Sequence, residues 1–200
     1  MTDYLKDFYL KLEDSAMQLI IFNLPSILAR LPLKINYLLD FGSGPTIYVP
    51  ICFREKAQNI FLSDYLPQNR NELKLWLNGN SNFNWNYLIA IHEALSPSLD
   101  ITKMEKMARE KLNYPKYFNV ITTFLTLEYC CLNKEEYKNA IKRISQLLEP
   151  NKEGYLIMGG ILEETWCSFG GNRTKLFYEF NGIFLLVAKK VIIINIINKI

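Results

Sequence analysis

The stretch Asn36-Tyr37-Leu38-Leu39-Asp40-Phe41-Gly42-Ser43-Gly44-Pro45-Thr46 decides how this chain folds. Its first part is a short run with apolar side chains toward both faces that ends in glycine, the pattern of a strand buried within a parallel sheet. Gly42 and Gly44 permit a tight turn, and Pro45 suits the first turn of a helix, where a missing N–H costs nothing. Strand, glycine turn and helix start therefore follow one another directly. Upstream, residues 3–30 place Leu5, Phe8, Tyr9 and Leu12, then Ala16, Leu19, Ile20, Leu24, Ile27 and Leu28, at helical spacing. Asp14-Ser15 is a cap between two helices.

Downstream, residues 59–63 read as a second buried strand ending at Asp64-Tyr65, and residues 67–77 as an amphipathic helix with Leu73, Trp76 and Leu77 inward. Residues 87–91, 118–127, 155–158 and 183–188 are further strands, and 99–112 and 134–148 further helices. Strands alternating with helices predict an α/β fold, a doubly wound parallel sheet covered on both faces, in one domain spanning residues 1–190. The most apolar stretch, 182–197, is interrupted by Lys189-Lys190 and falls short of the roughly 18 uninterrupted apolar residues of a membrane span. Residues 191–200 contain only Val, Ile, Asn and Lys and are expected to lie outside the fold.

Composition narrows the function classes. Of 200 residues, 50% are hydrophobic and 22% charged, which fits a domain with a sizeable core and excludes disordered or collagen-like chains. A net charge of +3 from 23 basic and 20 acidic side chains is no footprint for nucleic acid. Cys52, Cys130, Cys131 and Cys167 form no Cys-x-x-Cys, and with His92 as the single histidine there is little material for a zinc site or a histidine-activated nucleophile. Free thiols, and an N-terminal segment charged from Asp3 with no apolar core behind it, lead us to expect a cytoplasmic protein with no membrane partner and no metal.

The glycine turn and Asp64, at the end of the next strand, form one constellation. Backbone at glycine can approach a ligand closely, a helix N-terminus offers N–H groups, and a strand-end carboxylate accepts bonds from ribose hydroxyls. A strand-to-helix turn that simply needs glycine is the plainer reading. The dinucleotide fingerprint asks for a third glycine where this chain has Ile47, which disfavours a nicotinamide-dinucleotide oxidoreductase, as does the lack of a usable Tyr-x-x-x-Lys. A ligand with ribose but no pyrophosphate fits better, namely S-adenosylmethionine.

Residues 40–48 (Asp-Phe-Gly-Ser-Gly-Pro-Thr-Ile-Tyr), followed by Ser63-Asp64-Tyr65-Leu66-Pro67-Gln68-Asn69-Arg70-Asn71-Glu72-Leu73 and Trp76-Leu77, resemble the family of nicotinamide, phenylethanolamine and indolethylamine N-methyltransferases and the related thioether S-methyltransferase. The likeness reaches back to Tyr4-Leu5 and Phe8-Tyr9 and forward, in pieces, through 82–85, 124–128, 137–150, 160–166 and 182–190. It implies a Rossmann-like methyltransferase sheet with an N-terminal helical lid, and an S-adenosylmethionine-dependent enzyme acting on the nitrogen of a small amine or N-heterocycle. By the resemblance, Gly42, Ser43, Gly44, Thr46 and Tyr48 cradle the methionine portion of the cofactor. Asp64, Tyr65 and Asn69 take its ribose and adenine, and Tyr4 and Tyr9 close a lid; a monomer is expected.

Methyl transfer from a sulfonium is an in-line displacement that needs alignment and exclusion of water, with no covalent residue. An alkylamine must first lose a proton, which nearby carboxylates can position or relay. Glu128, after the 118–127 strand, and Glu164 match acidic positions of the phenylethanolamine enzyme and are the candidate catalytic residues. Glu163-Glu164 also read simply as solvated charges at a helix start. Where nicotinamide methylation in the family relies on an aspartate after the fifth strand and on a tyrosine further on, this chain has Gly159-Gly160 and Cys167, which argues against nicotinamide. Phe124 stands where the family places a small polar residue. Two family segments have no counterpart, one between Leu112 and Tyr114 and one between Phe180 and Gly182, so the sheet is expected to lack a strand near the C-terminus. The rival expectation is an inactive or truncated relative that still binds the cofactor.

Overall fold

The computed structural model describes residues 5–6, 15–85, 115–150, 152–162 and 182–190. Within them helix α1 (Ser15–Arg30) precedes strand β1 (Ile35–Phe41), helix α2 (Tyr48–Phe53), β2 (Ala57–Ser63) and α3 (Pro67–Leu77). Strand β3 (Val120–Phe124), helices α4 (Leu127–Cys130) and α5 (Lys134–Gln146), and strands β4 (Gly154–Leu162) and β5 (Gly182–Lys190) complete the order. The sheet runs β2-β1-β3-β4-β5. β1 is parallel to β2 and β3, and β3 to β4, whereas β5 is antiparallel to β4 over its whole length.

Alternation along the strands explains why both faces are covered. Leu38, Val120, Phe124 and Ile157 point into one apolar cluster with Ile20, Leu24 and Leu28 of α1 and Leu73 and Trp76 of α3. Leu39, Ile121, Leu156 and Met158 point the other way, against Leu127, Ile144 and Leu148. Successive side chains on a strand face opposite sides, so a strand apolar at every position needs helices on both. Leu5, fully buried, joins the α1 cluster. Lys56 ties α1 to the sheet: its ammonium donates to the carbonyl of Leu28 in the last turn of α1 and to that of Leu31 just beyond it. Helix α5 begins with a side-chain cap, Asn133 Oδ1 accepting from Glu136 N at 2.9 Å, while the Glu136 carboxylate accepts from Leu132 N at 2.8 Å.

Several boundaries differ from the sequence expectation for physical reasons. Pro45 sits in the turn and not in a helix; α2 starts at Tyr48 with Ile47 as its N-cap. The strand expected over 118–127 stops at Phe124, because Leu125 adopts a left-handed backbone (φ 49°) that no strand accommodates. The last strand, expected to pair differently where a family segment is missing, runs antiparallel to β4, and β4 is longer than 155–158 because β5 supplies it with a nine-residue partner. No helix among the described residues is long and apolar enough to cross a membrane. The strand expected at 87–91, the helix at 99–112, most of the first N-terminal helix, His92, Cys167 and the segment 191–200 lie outside the described residues.

Candidate functional site

The carboxyl ends of β1, β2 and β3 meet at the glycine turn. Gly42 and Gly44 have φ of 73° and 60°, a region open to glycine and costly for other residues. The N–H groups of Gly42 and Ser43 both donate to Ser63 O, at 2.8 and 2.9 Å, which stitches the turn to the end of β2. Thr46 donates its hydroxyl to Ser43 O at 2.7 Å and closes the turn from the other side. Among the described residues the space around Gly44 is open: a Cβ built there would meet only Thr46 Cγ2, at 3.6 Å.

Asp64 is the hub of the neighbouring strand end. Its Oδ2 accepts from Gly44 N at 2.9 Å, and its Oδ1 accepts from Leu66 N at 2.8 Å and Asn69 Nδ2 at 2.9 Å. The Arg70 guanidinium donates to the carbonyls of Asp64 and Tyr65, fixing the chain between β2 and α3. The structure thus brings Gly42, Ser43, Gly44, Asp64 and Asn69 together. Tyr65, 92% exposed, projects into solvent, whereas Thr46 and Tyr48 are buried, the Tyr48 ring lying 6.0 Å from that of Phe124.

Glu128 occupies the first turn of α4, and its carboxylate lies over β4: a Cβ on Gly160 would come within 2.4 Å of Glu128 Oε1. Burial raises the Cys130 thiol, and the charges of Asp64 and Glu128 raise it further, so both carboxylates act on the same end of the sheet. Tyr137 is pushed up to about 12, by burial first and then by Glu128. Tyr4, Tyr9 and Glu164 lie outside the described residues.

Two residues at this end were not singled out from sequence. Asp40 is 1% exposed, accepts a hydrogen bond from Thr122 Oγ1 at 2.8 Å, and leaves Oδ2 without a partner among the described residues. Burial lifts its carboxyl to about 7, against the lowering effect of Thr122, and the Asp64 charge adds to the rise. A carboxylate directly after the apolar pair Leu38-Leu39 and before Phe41 was its visible signal. Thr126 is the other: its side chain covers Gly42, and its hydroxyl lies 3.0 Å from Gly42 O. Nothing in the local sequence marks it. Two open grooves lie elsewhere, one among Lys34, Asn36, Asn119 and Lys152 at the amino ends of the strands and one between α1 and β5.

A parallel sheet with a glycine turn after β1 and a carboxylate at the end of β2 is an arrangement that suits a ribose-bearing cofactor, and comparison with known proteins places it among S-adenosylmethionine-dependent methyltransferases. A SAM-dependent methyltransferase of Leishmania major shares the fold, with a TM-score of 0.50 at 19% identity, over 80% of this chain and 56% of that one. The model of the NNMT/PNMT/TEMT family matches residues 1–113 and 97–179, and the chain belongs to this family. It is 36% identical to a nicotinamide N-methyltransferase of Caenorhabditis elegans over 87% of this chain and 73% of that protein. To the phenylethanolamine N-methyltransferase of Bos taurus it is 28% identical, over 68% of this chain and 54% of the relative. The chain therefore spans about three quarters of the first of these and about half of the second. S-adenosylmethionine is the cofactor of this fold and family, and the site suits it: among the described residues the face of Gly44 is open, Asp64 offers acceptors beside it, and a buried carboxylate oxygen of Asp40 without a partner stands two residues before the turn.

Proposed function

We propose that this protein transfers a methyl group from S-adenosylmethionine to the nitrogen of a small amine or N-heterocycle. The observation that carries the reading is the bond between Gly44 N and Asp64 Oδ2, which joins the glycine turn to the strand-end carboxylate. Bound S-adenosylmethionine supplies an electrophilic methyl on a sulfonium. Gly42, Ser43, Gly44, Thr46 and Tyr48 shape the cradle for its methionine portion, Asp64 and Asn69 with Tyr65 hold the ribose and adenine side, and Tyr4 and Tyr9 exclude water. Glu128, with Glu164, orients the acceptor nitrogen and takes up the proton an alkylamine must lose. The rival expectation of a relative without turnover is not favoured by the family match.

Gly159 and Phe124 support an acceptor other than nicotinamide, because the Phe124 ring fills the space a side chain at 159 would need. Residues 1–190 form the methyltransferase domain, with 191–200 outside it. We read the protein as a cytoplasmic monomer without a nucleic-acid partner.

Calorimetry with S-adenosylhomocysteine on the purified chain, followed by transfer of labelled methyl to a panel of amines and ring nitrogens, tests the reading. Micromolar binding and labelling of an amine are expected. A folded protein that binds no S-adenosylhomocysteine would overturn it. Glu128→Gln should lower turnover of an alkylamine more than that of a neutral ring nitrogen, and equal losses would remove Glu128 from proton handling.

A further inference from the structure

We propose that Thr126 is a positioning residue that locks the cofactor turn to the helix bearing Glu128 and so sets the alignment between methyl donor and acceptor. The inference rests on the methyltransferase reading above. Three observations carry it.

Thr126 sits directly over the turn. A Cβ on Gly42 would come within 2.1 Å of its Cγ2, 2.4 Å of its Oγ1 and 2.8 Å of its Cβ, so Gly42 has no side chain because Thr126 occupies that space. Its hydroxyl lies 3.0 Å from Gly42 O and 2.9 Å from Phe124 O and shares its one proton between them, which joins the turn after β1 to the end of β3. The backbone of the same residue serves the other side. Thr126 is the N-cap of α4, and its carbonyl accepts from Tyr129 N at 3.2 Å and Cys130 N at 3.1 Å. One residue thus touches the turn with its side chain and carries with its main chain the helix in which Glu128 stands.

Leu125 shows that this placement is imposed. It holds φ of 49°, unfavourable for a branched side chain, and its N–H is anchored to Gly159 O at 2.8 Å. Without that left-handed residue the chain would continue as a strand past Phe124 and would not turn Thr126 onto Gly42. Backbone strain of this kind persists where surrounding contacts over-determine it. An in-line displacement gains rate from sub-ångström alignment, so a clasp between the donor cradle and the acceptor carboxylate acts on turnover more than on ground-state binding.

Thr126→Val keeps the bulk over Gly42 and removes the hydroxyl, while Thr126→Ser keeps the hydroxyl and removes the methyl. With Thr126→Val we expect kcat to fall about tenfold with KM for S-adenosylmethionine raised no more than about threefold. Thr126→Ser should restore most of kcat. Hydrogen exchange at Gly42–Gly44 should quicken in Thr126→Val and not in Thr126→Ser, a readout independent of any ligand. Wild-type kinetics and exchange in Thr126→Val would overturn the proposal, as would a loss in KM alone. Failure of the wild-type protein to bind S-adenosylhomocysteine while exchange still depends on the hydroxyl would overturn the alignment role together with the methyltransferase reading and leave only a structural clasp.

Discussion

Phe124 and Gly159 are partners in the β3–β4 register, and the ring of Phe124 covers the glycine so closely that a Cβ there would lie 2.9 Å from Phe124 Cδ1. Ile20 and Leu185 close the same space at 3.1 and 3.3 Å. Two departures that look separate in the sequence, a large aromatic at 124 and a missing carboxylate at 159, are one packing solution. Gly159→Asp should therefore cost about 3 kcal/mol through overpacking and a buried charge. Gly159→Asp combined with Phe124→Ser should recover part of that loss. Urea unfolding of the two variants checks the coupling, and purely additive losses would contradict it.

The two glycines of the turn should respond differently to alanine. Gly42→Ala meets both a positive φ and the Thr126 side chain, so it is expected to lose about 3 kcal/mol of stability and cofactor affinity with it. Gly44→Ala meets the positive φ but no close atom among the described residues, and about 1 kcal/mol is expected. Thermal melts and S-adenosylhomocysteine titrations of the pair measure the difference.

Asp64 holds three donors, so its loss reaches both ligand and fold. Asp64→Ala should weaken S-adenosylhomocysteine binding by about 1.5–3 kcal/mol, the scale of hydrogen bonds to a charged group. Asn69→Ala, which removes only the Asn69 Nδ2 bond to Asp64, should cost about 1 kcal/mol. Calorimetry gives both numbers; an unchanged dissociation constant in Asp64→Ala would make the residue purely structural.

Asp40 makes stability depend on pH. Its carboxyl titrates near 4 in the unfolded chain and at about 7 when buried in the fold. Between those values the native state keeps a proton that the unfolded state has lost, so stability is greatest at the acid end and falls as pH rises to about 7. The contribution lost is on the order of 4 kcal/mol. Asp40→Asn, which still accepts from Thr122, should gain stability relative to wild type progressively from pH 5 to pH 8. Denaturation midpoints across that range are the measurement, and parallel curves for the two proteins would show that Asp40 ionises at an ordinary value.

Much of the site was legible from local sequence because it is built locally. A strand, a glycine turn and an acidic strand end are short-range patterns, and helix α3 spans 67–77 as its apolar spacing and Pro67 require. The antiparallel direction of β5 was not legible, because its partner is chosen across the sheet and not by its own residues. Neither was the break at Leu125, where a β-branched run invites a longer strand and only the anchored N–H and the seat of Thr126 reverse it.

By itself, the sequence determined the alternation of strands and helices, the place of the glycine turn, and Asp64 at the end of the following strand, since each follows from residues within one element of one another. Only the tertiary structure decided that Thr126 covers Gly42 from 84 residues away, that Phe124 takes the space over Gly159, and that Asp40 is desolvated enough to titrate near neutrality. Side-chain volume and dielectric environment are properties of the packed interior, and the parallel sheet that brings these residues together forms only when distant strands pair.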